Sequence, residues 1–275
     1  CLRLRVLLVL FSLDWGMDYA LTSPYKKRGL AQVTAEGCEM KGKILTAAVS
    51  LVVLAVTSTN VTAIAETQSN MARGGQLYDK WYAVVGSEKP GTSHPLYPAD
   101  KKYANEPKSN WRCKECHGWD YRGADGAYSS GSHATGIKGI DGAAGRNIEE
   151  IVELLNDEKH GYAGLLSEDD LNDLAMFVSA GQIDMDPFID RATKKPRGGD
   201  AERGAAYFNT LCANCHGRDG KRPKGMKPFA KQMGNPWEVM HKILNGQPDE
   251  EMPALRALDR QIVVDIMSHM ATLAE

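Results

Sequence analysis

The feature that most restricts this chain is a short motif that occurs twice, a Cys-x-x-Cys-His sequence followed by glycine. The copies are Cys113-Lys114-Glu115-Cys116-His117-Gly118 and Cys212-Ala213-Asn214-Cys215-His216-Gly217. A two-residue gap places both thiols on one side of a single helical turn. In the c-type haem attachment pattern, the thiols add to the haem vinyl groups and the following His lies under the iron. The two motifs therefore predict two covalently bound haem c groups.

Zinc sites and redox dithiols also use paired cysteines, but both fit this sequence less well. A zinc site does not need a His directly after each pair, and a thioredoxin-type dithiol needs a strand–helix context that neither copy shows. The chain has six cysteines, and the two outside the motifs, Cys1 and Cys38, precede them. Between residue 66 and the end of the chain, every cysteine belongs to a motif, which leaves none for a disulfide framework.

An apolar run near the start has the three parts of a secretory signal. It follows Met40-Lys41-Gly42-Lys43 and ends at Ala63-Ile64-Ala65, which gives a basic start, an apolar middle and a small-residue cleavage site. We therefore predict a signal peptide over 40–65 and treat 1–39 as an upstream, non-native segment.

An uncleaved membrane anchor is the alternative for this run. Four polar residues, Thr57, Ser58, Thr59 and Asn60, make it a poor bilayer segment. We therefore expect a periplasmic mature chain that begins at Glu66 and has no membrane span. Export agrees with the motifs, because haem is attached to such sequences outside the cytoplasm.

The mature part of the chain divides into two halves of opposite charge. Residues 66–190 carry 12 Lys and Arg against 21 Asp and Glu, whereas residues 191–275 carry 14 against 10. The boundary, 191–200, is basic, contains Pro and Gly, and is typical of a linker. Amphipathic helical windows dominate both halves and alternating strand patterns are missing. The sequence thus predicts an all-α fold with one domain over 66–190, carrying an insertion at 86–110, and another over 201–275.

Alignment of the two final helices identifies a second pair of ligand candidates. These helices are expected to start at Ser167 and Asp259. Met252 lies seven residues before Asp259, and His160 lies seven residues before Ser167. In a single-haem domain of this plan, the residue in this loop supplies the second axial ligand of the iron.

The expected iron ligands are His117 and His160 on the first haem, and His216 and Met252 on the second. A thioether ligand raises the haem potential and a second imidazole lowers it, so the second haem is expected to have the higher potential. His133 remains an alternative to His160, His94 is a weaker one, and an open iron is also possible.

Five basic residues follow the second motif: Lys221, Arg222, Lys224, Lys227 and Lys231. They form either an ordinary solvated loop or a docking patch that attracts an acidic redox partner. The sequence favours neither interpretation over the other.

With these residues the chain resembles class I c-type cytochromes in a two-domain, di-haem form. The second half matches at Cys212-Ala213-Asn214-Cys215-His216-Gly217, Met252-Pro253 and the closing helix. The first half matches at its motif and closing helix, but it has a long insertion and a His where the family usually has Met. The resemblance covers about residues 70–275 and implies a helical fold per domain, covalent haem c and periplasmic electron transfer.

The leading hypothesis is a di-haem electron carrier with no catalytic residues, since two six-coordinate irons leave no place for a substrate. The alternatives are a di-haem oxidoreductase similar to thiosulfate dehydrogenases or haem peroxidases, and a cytochrome subunit of a larger dehydrogenase. Thiosulfate dehydrogenases typically use a Cys ligand, and no spare Cys is present after residue 66. The sequence shows no nucleotide-binding glycine fingerprint and no signature of nucleic-acid binding.

Overall fold

A computed structural model describes residues 65–274, which belong to one structural unit. The predicted upstream segment 1–39 and the predicted signal peptide, apart from Ala65, lie outside the described residues. The helices in chain order are α1 over 65–84, α2 Pro107–Asn110, α3 Cys113–His117, α4 Ile148–Leu155, α5 Glu168–Met176, α6 Ala201–Leu211, α7 Ala213–His216, α8 Phe229–Gln232, α9 Pro236–Asn245 and α10 Arg260–Met270. Between residues 65 and 274 there is no β-strand, only isolated bridges, which agrees with the predicted all-α fold.

The helices begin where short polar side chains can cap them. Asn147 accepts a hydrogen bond from the backbone of Glu150 at the start of α4. Ser167 and Asp170 form a reciprocal capping box at the start of α5, and a π-helical turn, Phe177–Gly181, continues this helix. These caps determine where α4 and α5 begin, and the predicted start at Ser167 is confirmed.

The helices of the second half also begin and end at capping residues. Asp200 caps α6 through the backbone N–H groups of Glu202 and Arg203, and Asp259 caps α10. Pro236 opens α9, and Gly246 ends it with φ 87°, a conformation that side-chain-bearing residues rarely adopt. The predicted start at Asp259 is confirmed.

In each half the first helix crosses the last helix at a glycine. A Cβ at Gly204 of α6 would overlap the carbonyl oxygen of Asp265 on α10, and a Cβ at Gly74 of α1 would overlap that of Asp173 on α5. An arginine just before each glycine binds the same aspartate: Arg203 Nε lies 2.7 Å from Asp265, and Arg73 Nη1 lies 2.8 Å from Asp173. The two halves therefore share one helix-crossing geometry.

The halves pack on each other through His241 of α9, which is fully buried. Its Nε2–H donates to the carbonyl of Gly75 at 2.9 Å, so its Nδ1 accepts from the Tyr121 hydroxyl, also at 2.9 Å. The rings of Trp119 and Phe177 lie 5.0 and 5.8 Å from the His241 ring. A hydrogen-bonded aromatic seam thus joins the two halves.

The predicted insertion, 86–110, packs against the first motif. The carbonyl of Thr92 accepts a hydrogen bond from the indole of Trp111 at 2.8 Å, and the Asn110 side chain accepts from the backbone of His94 at 3.0 Å. In the predicted linker, Arg191 binds the buried carboxylate of Asp120 at 2.7 Å. Both segments are therefore tied to the first half by side-chain contacts.

Candidate haem-binding sites

The first motif forms the single helical turn α3, with its thiols free. Cys113 is half-buried and Cys116 is buried, and burial raises their pKa to about 11 and about 12. Gly118 ends the turn with φ 79°, and its N–H donates to the carbonyl of Lys114. The thiols are therefore protonated at neutral pH in the chain itself.

His117 is held so that one ring nitrogen stays available. Its Nδ1–H donates to the carbonyl of Lys138 at 2.6 Å, which leaves Nε2 without a hydrogen. This is the arrangement in which a backbone carbonyl orients a metal-binding imidazole. Burial is the largest influence on the pKa of His117 and lowers it, and the nearby His160 and His94 lower it further. The ring is therefore neutral, as an iron ligand must be.

His160 lies near His117, in the loop between α4 and α5. Its Nδ1–H points at the Asp157 carboxylate at 3.3 Å, and Asp157 also accepts the backbone N–H of His160 at 2.7 Å. A carboxylate on Nδ1 leaves Nε2 for a metal. Sequence reasoning missed Asp157, although its position three residues before His160 was a usable signal.

His94 lies beside His160 but has both ring nitrogens engaged. Its Nδ1 accepts from the backbone of Leu96 at 3.2 Å, and its Nε2 contacts the carbonyl of His160 at 3.0 Å. The ring also packs edge-on against Trp111, with centroids 4.4 Å apart. To bind iron, His94 would have to break one of these hydrogen bonds.

His133 lies against Glu115, in the middle of the motif. Its Nδ1–H donates to the Glu115 carboxylate at 2.7 Å, and its ring is stacked between Tyr103 and Tyr128 with centroids 4.9 Å away on each side. Glu115 also pairs with Lys114, at 2.7 Å, and both are buried. The two middle residues of the motif thus pack into the protein and hold His133 beside them.

The second motif repeats the turn of the first. Its helix, α7, follows Cys212 and ends at Gly217 with φ 76°. The N–H of Arg222 donates to the carbonyl of His216 at 2.9 Å, as the N–H of Gly123 does to the carbonyl of His117 at 2.8 Å. Cys215 is exposed. The Nδ1 of His216 is buried, and among the described residues it has no hydrogen-bond partner.

Met252 lies in the non-helical loop between α9 and α10, as the sequence predicts. It is partly buried against the hydrophobic core. The backbone of Leu255 donates to the carbonyl of Ile243 at 2.9 Å and ties this loop to α9. The five basic residues of the loop after the second motif are all exposed: Lys221, Arg222, Lys224, Lys227 and Lys231.

These residues fit covalent haem. Each motif offers two free thiols within one turn, and the first His presents Nε2 while a carbonyl holds its other nitrogen. The imidazole of His216 has no such carbonyl partner, but the backbone of His216 accepts the same turn hydrogen bond as that of His117. The donor set, imidazole with a second imidazole or a thioether, is one that haem iron accepts.

Comparison with known proteins supports the same class for the second half. Residues 199–270 match the family model described as cytochrome C oxidase, cbb3-type, subunit III. No curated protein and no solved structure matches the chain. The matched segment contains Cys212, Cys215, His216 and Met252.

This part of the chain is therefore a c-type cytochrome domain, a class that carries haem c and transfers electrons to and from redox partners. The predictions of a c-type cytochrome, of haem c with its iron and of electron transport are confirmed at this level. In the part of the chain that the structure describes, no helix has both the length and the apolar character needed to cross a bilayer.

Proposed function

We propose that this protein is a periplasmic di-haem cytochrome c that transfers electrons between redox partners. Domain 1 would extend over 66–190 and domain 2 over 201–275, with one haem c in each. The observation that carries the proposal is that the first motif shares its turn geometry with the second, which lies in the matched cytochrome segment. The helix crossing of each half, with its Arg–Gly pair and aspartate, supports the same duplication.

His117 and His160 are the proposed ligands of haem 1. His160 is near His117, and its Nδ1 faces Asp157, which leaves Nε2 for the iron. His133 is the less suitable alternative, because its ring is stacked between two tyrosines and bound to Glu115. The Asp157 carboxylate would orient the imidazole of His160, and a second imidazole ligand would give haem 1 a low potential.

His216 and Met252 are the proposed ligands of haem 2. Met252 lies in a loop that is tied to α9 and packed against the core, so little chain entropy is lost when its thioether binds. Haem supplies a one-electron couple at each site, and the thioether makes the second couple the more oxidising. Electrons would therefore move from haem 1 to haem 2.

The exposed basic loop, Lys221–Lys231, is the proposed docking patch for an acidic redox partner. It begins five residues after His216, and its Arg222 donates to the carbonyl of Asn214, the residue before the exposed Cys215. Positive charge next to the exposed part of a redox centre accelerates encounter with an acidic partner. Because His117, His160, His216 and Met252 would hold the two irons and leave no place for a substrate, the proposed role is electron transfer and not substrate turnover.

Haem content and ligation test this proposal directly. The exported protein, produced together with a haem-attachment system, is expected to bind two haems per chain in a pyridine haemochrome assay. The variant Cys212→Ala/Cys215→Ala should bind one, and so should Cys113→Ala/Cys116→Ala. Near-infrared magnetic circular dichroism should show one bis-His and one His/Met low-spin signal. A single haem in the unaltered chain, or a high-spin haem at neutral pH, would contradict the proposal.

A further inference from the structure

Arg256 is the most unusual charged residue in the described part of the chain. It is 5 % exposed and lies four residues after Met252 in the same loop. Its Nε and Nη2 donate to one neutral acceptor, Oδ1 of Asn245, at 3.0 and 2.7 Å. Its guanidinium lies over the ring of Phe177, 5.6 Å from the centroid. No carboxylate between residues 65 and 274 forms an ion pair with it.

Three other arginines that the fold holds in place have an acidic partner. Arg73 binds Asp170 and Asp173, Arg112 binds Asp79, and Arg203 binds Asp265. A buried charge without a counter-charge is strongly unfavourable, and proteins retain one where a ligand or a catalytic role compensates for it. The isolation of Arg256 therefore needs a physical explanation.

Loss of a proton does not remove the charge at neutral pH. Burial is the main cause that lowers the pKa of Arg256, to about 10. The charge of Arg260 lowers this pKa further, whereas Tyr121 raises it. The guanidinium is thus cationic at neutral pH. The hydrogen bonds to Asn245 use Nε and Nη2, so both hydrogens on Nη1 remain available for a further acceptor.

A cavity of about 470 Å³ lies against Arg256. It is formed by one face of α1 and by the loop after Met252, and its polar lining includes Gln68, Ser69 and Gln76. Pockets of this size are typical of small-molecule sites in proteins. Since Arg73, which also lines it, is already paired with two aspartates, Arg256 supplies the unneutralised positive charge at this site.

We propose that Arg256 and this cavity form a binding site for a carboxylate. The planar fork of N–H donors of a guanidinium matches the two oxygens of a carboxylate. The carboxylate has two possible sources, a propionate of the haem at the second motif or a small free organic acid. The first source rests on the proposed function, whereas the second does not.

Two measurements on the haem-loaded protein separate these sources. The test variant is Arg256→Met, which keeps the length of the side chain and removes the charge, and Arg256→Lys restores the charge alone. Arg146→Met is the matched control, because Arg146 is an exposed arginine on the surface of the first half. Each variant is compared with the wild type by redox titration and by calorimetric titration with acetate and succinate.

If the carboxylate is a propionate, Arg256→Met should lower the midpoint potential of the second haem, since a cation beside that haem favours its reduced state. Arg256→Lys should restore part of the shift and Arg146→Met should cause none, with no acetate or succinate binding in any form. If the carboxylate is a free acid, the wild type should bind acetate or succinate saturably. Arg256→Met should then weaken that binding at least tenfold.

Two results would overturn the proposal. The first is an Arg256→Met protein that folds, has the wild-type potential and shows no difference in anion binding. The second is an Arg256→Met effect that Arg146→Met reproduces, since that would be a consequence of net charge. If Arg256→Met does not fold, Ala257→Leu provides the test, because it fills part of the cavity without touching the guanidinium and should abolish binding of a free acid. Absence of haem at Cys212 and Cys215 would refute the proposed function and leave the acid titration valid.

Discussion

Arg203 and Asp265 form a two-point ion pair across the crossing of α6 and α10, with nitrogen–oxygen distances of 2.7 and 2.9 Å. In the first half, Arg73 binds Asp173 through one nitrogen and Asp170 through another. Asp265 lies six residues after Asp259, and Asp173 lies six after Ser167, so the helix alignment that pairs His160 with Met252 also pairs these aspartates. The repeat therefore extends from sequence to individual contacts.

The glycine at each helix crossing is expected to be required for stability. Gly204→Ala and Gly74→Ala each place a methyl group against a backbone carbonyl on the facing helix. Each should lower the free energy of unfolding by about 1–3 kcal/mol net, in spite of the roughly 1 kcal/mol that alanine gains in helix propensity. Urea unfolding of the haem-loaded protein would measure this.

A glycine with space around it provides the control for these variants. Gly91 has no heavy atom within contact distance of an added Cβ, so Gly91→Ala should change stability by no more than about 0.5 kcal/mol. Equal effects at all three glycines would show that the crossings have room for a methyl group and would contradict the packing assigned to them.

Tyr121 is expected to stabilise the seam through its hydroxyl. Tyr121→Phe leaves the buried Nδ1 of His241 without a donor, which should cost about 1–3 kcal/mol. Tyr128 is the matched control, because its hydroxyl is buried and has no hydrogen-bond partner anywhere between residues 65 and 274. Tyr128→Phe should be neutral or slightly stabilising in the same denaturation assay. A larger loss of stability in Tyr128→Phe than in Tyr121→Phe would contradict the hydrogen bond assigned to the seam.

The buried His241 should make stability fall as the solution becomes acidic. Burial is the main cause that lowers the pKa of His241 from 6.5 to about 4. The charges of Arg256 and Lys242 also lower it, whereas Asp79 and the hydrogen bond to the Gly75 carbonyl raise it. Between these two pKa values the unfolded chain binds a proton that the folded protein does not. Stability should therefore fall by about 2 kcal/mol from pH 7 to pH 5 through this residue alone.

Other groups also titrate in this range, so the contribution of His241 is the difference between two proteins. His241→Gln keeps an acceptor for Tyr121 and a donor for Gly75 but cannot take up a proton. Unfolding free energies at pH 7 and pH 5 should differ less in this variant than in the wild type, by about 2 kcal/mol. An identical pH dependence in both proteins would mean that His241 does not titrate in this interval.

The choice between His160 and His133 can be settled by spectroscopy of single variants. His160→Ala should convert one haem from low-spin to high-spin, because the proposed ligand of haem 1 is lost. His133→Ala should leave both haems low-spin, since that ring lies beside Glu115 and two tyrosines. Near-infrared magnetic circular dichroism of both variants is the measurement, and a high-spin haem in His133→Ala alone would exchange the two assignments.

Much of the local structure could be predicted from the sequence, since it depends on neighbours in the chain. The helix starts at Ser167, Asp200 and Asp259 follow from caps that act within three residues. The position of Met252, seven residues before the start of the last helix, correctly predicted that it lies in a loop. The motifs themselves predicted single helical turns, and both turns are present.

Contacts between distant parts of the chain could not be predicted in this way. Nothing near Lys138 in the sequence shows that its backbone carbonyl orients His117, because any residue type offers a carbonyl. The burial of His241 depends on Tyr121, 120 residues away. The isolation of Arg256 is a property of what surrounds it in space, so no local pattern reveals it.

For the two haems proposed above, the seam through His241 has a consequence for the speed of electron exchange. In proteins whose redox domains are joined by flexible tethers, exchange between the centres waits for the domains to diffuse into contact, and solvent viscosity slows it. Here a buried imidazole of the second half is hydrogen-bonded to the backbone of α1 and to the hydroxyl of Tyr121 in the first half, so the two halves are packed together and not joined by a tether alone. Transfer between groups attached to them would be governed by distance and driving force and would be insensitive to viscosity.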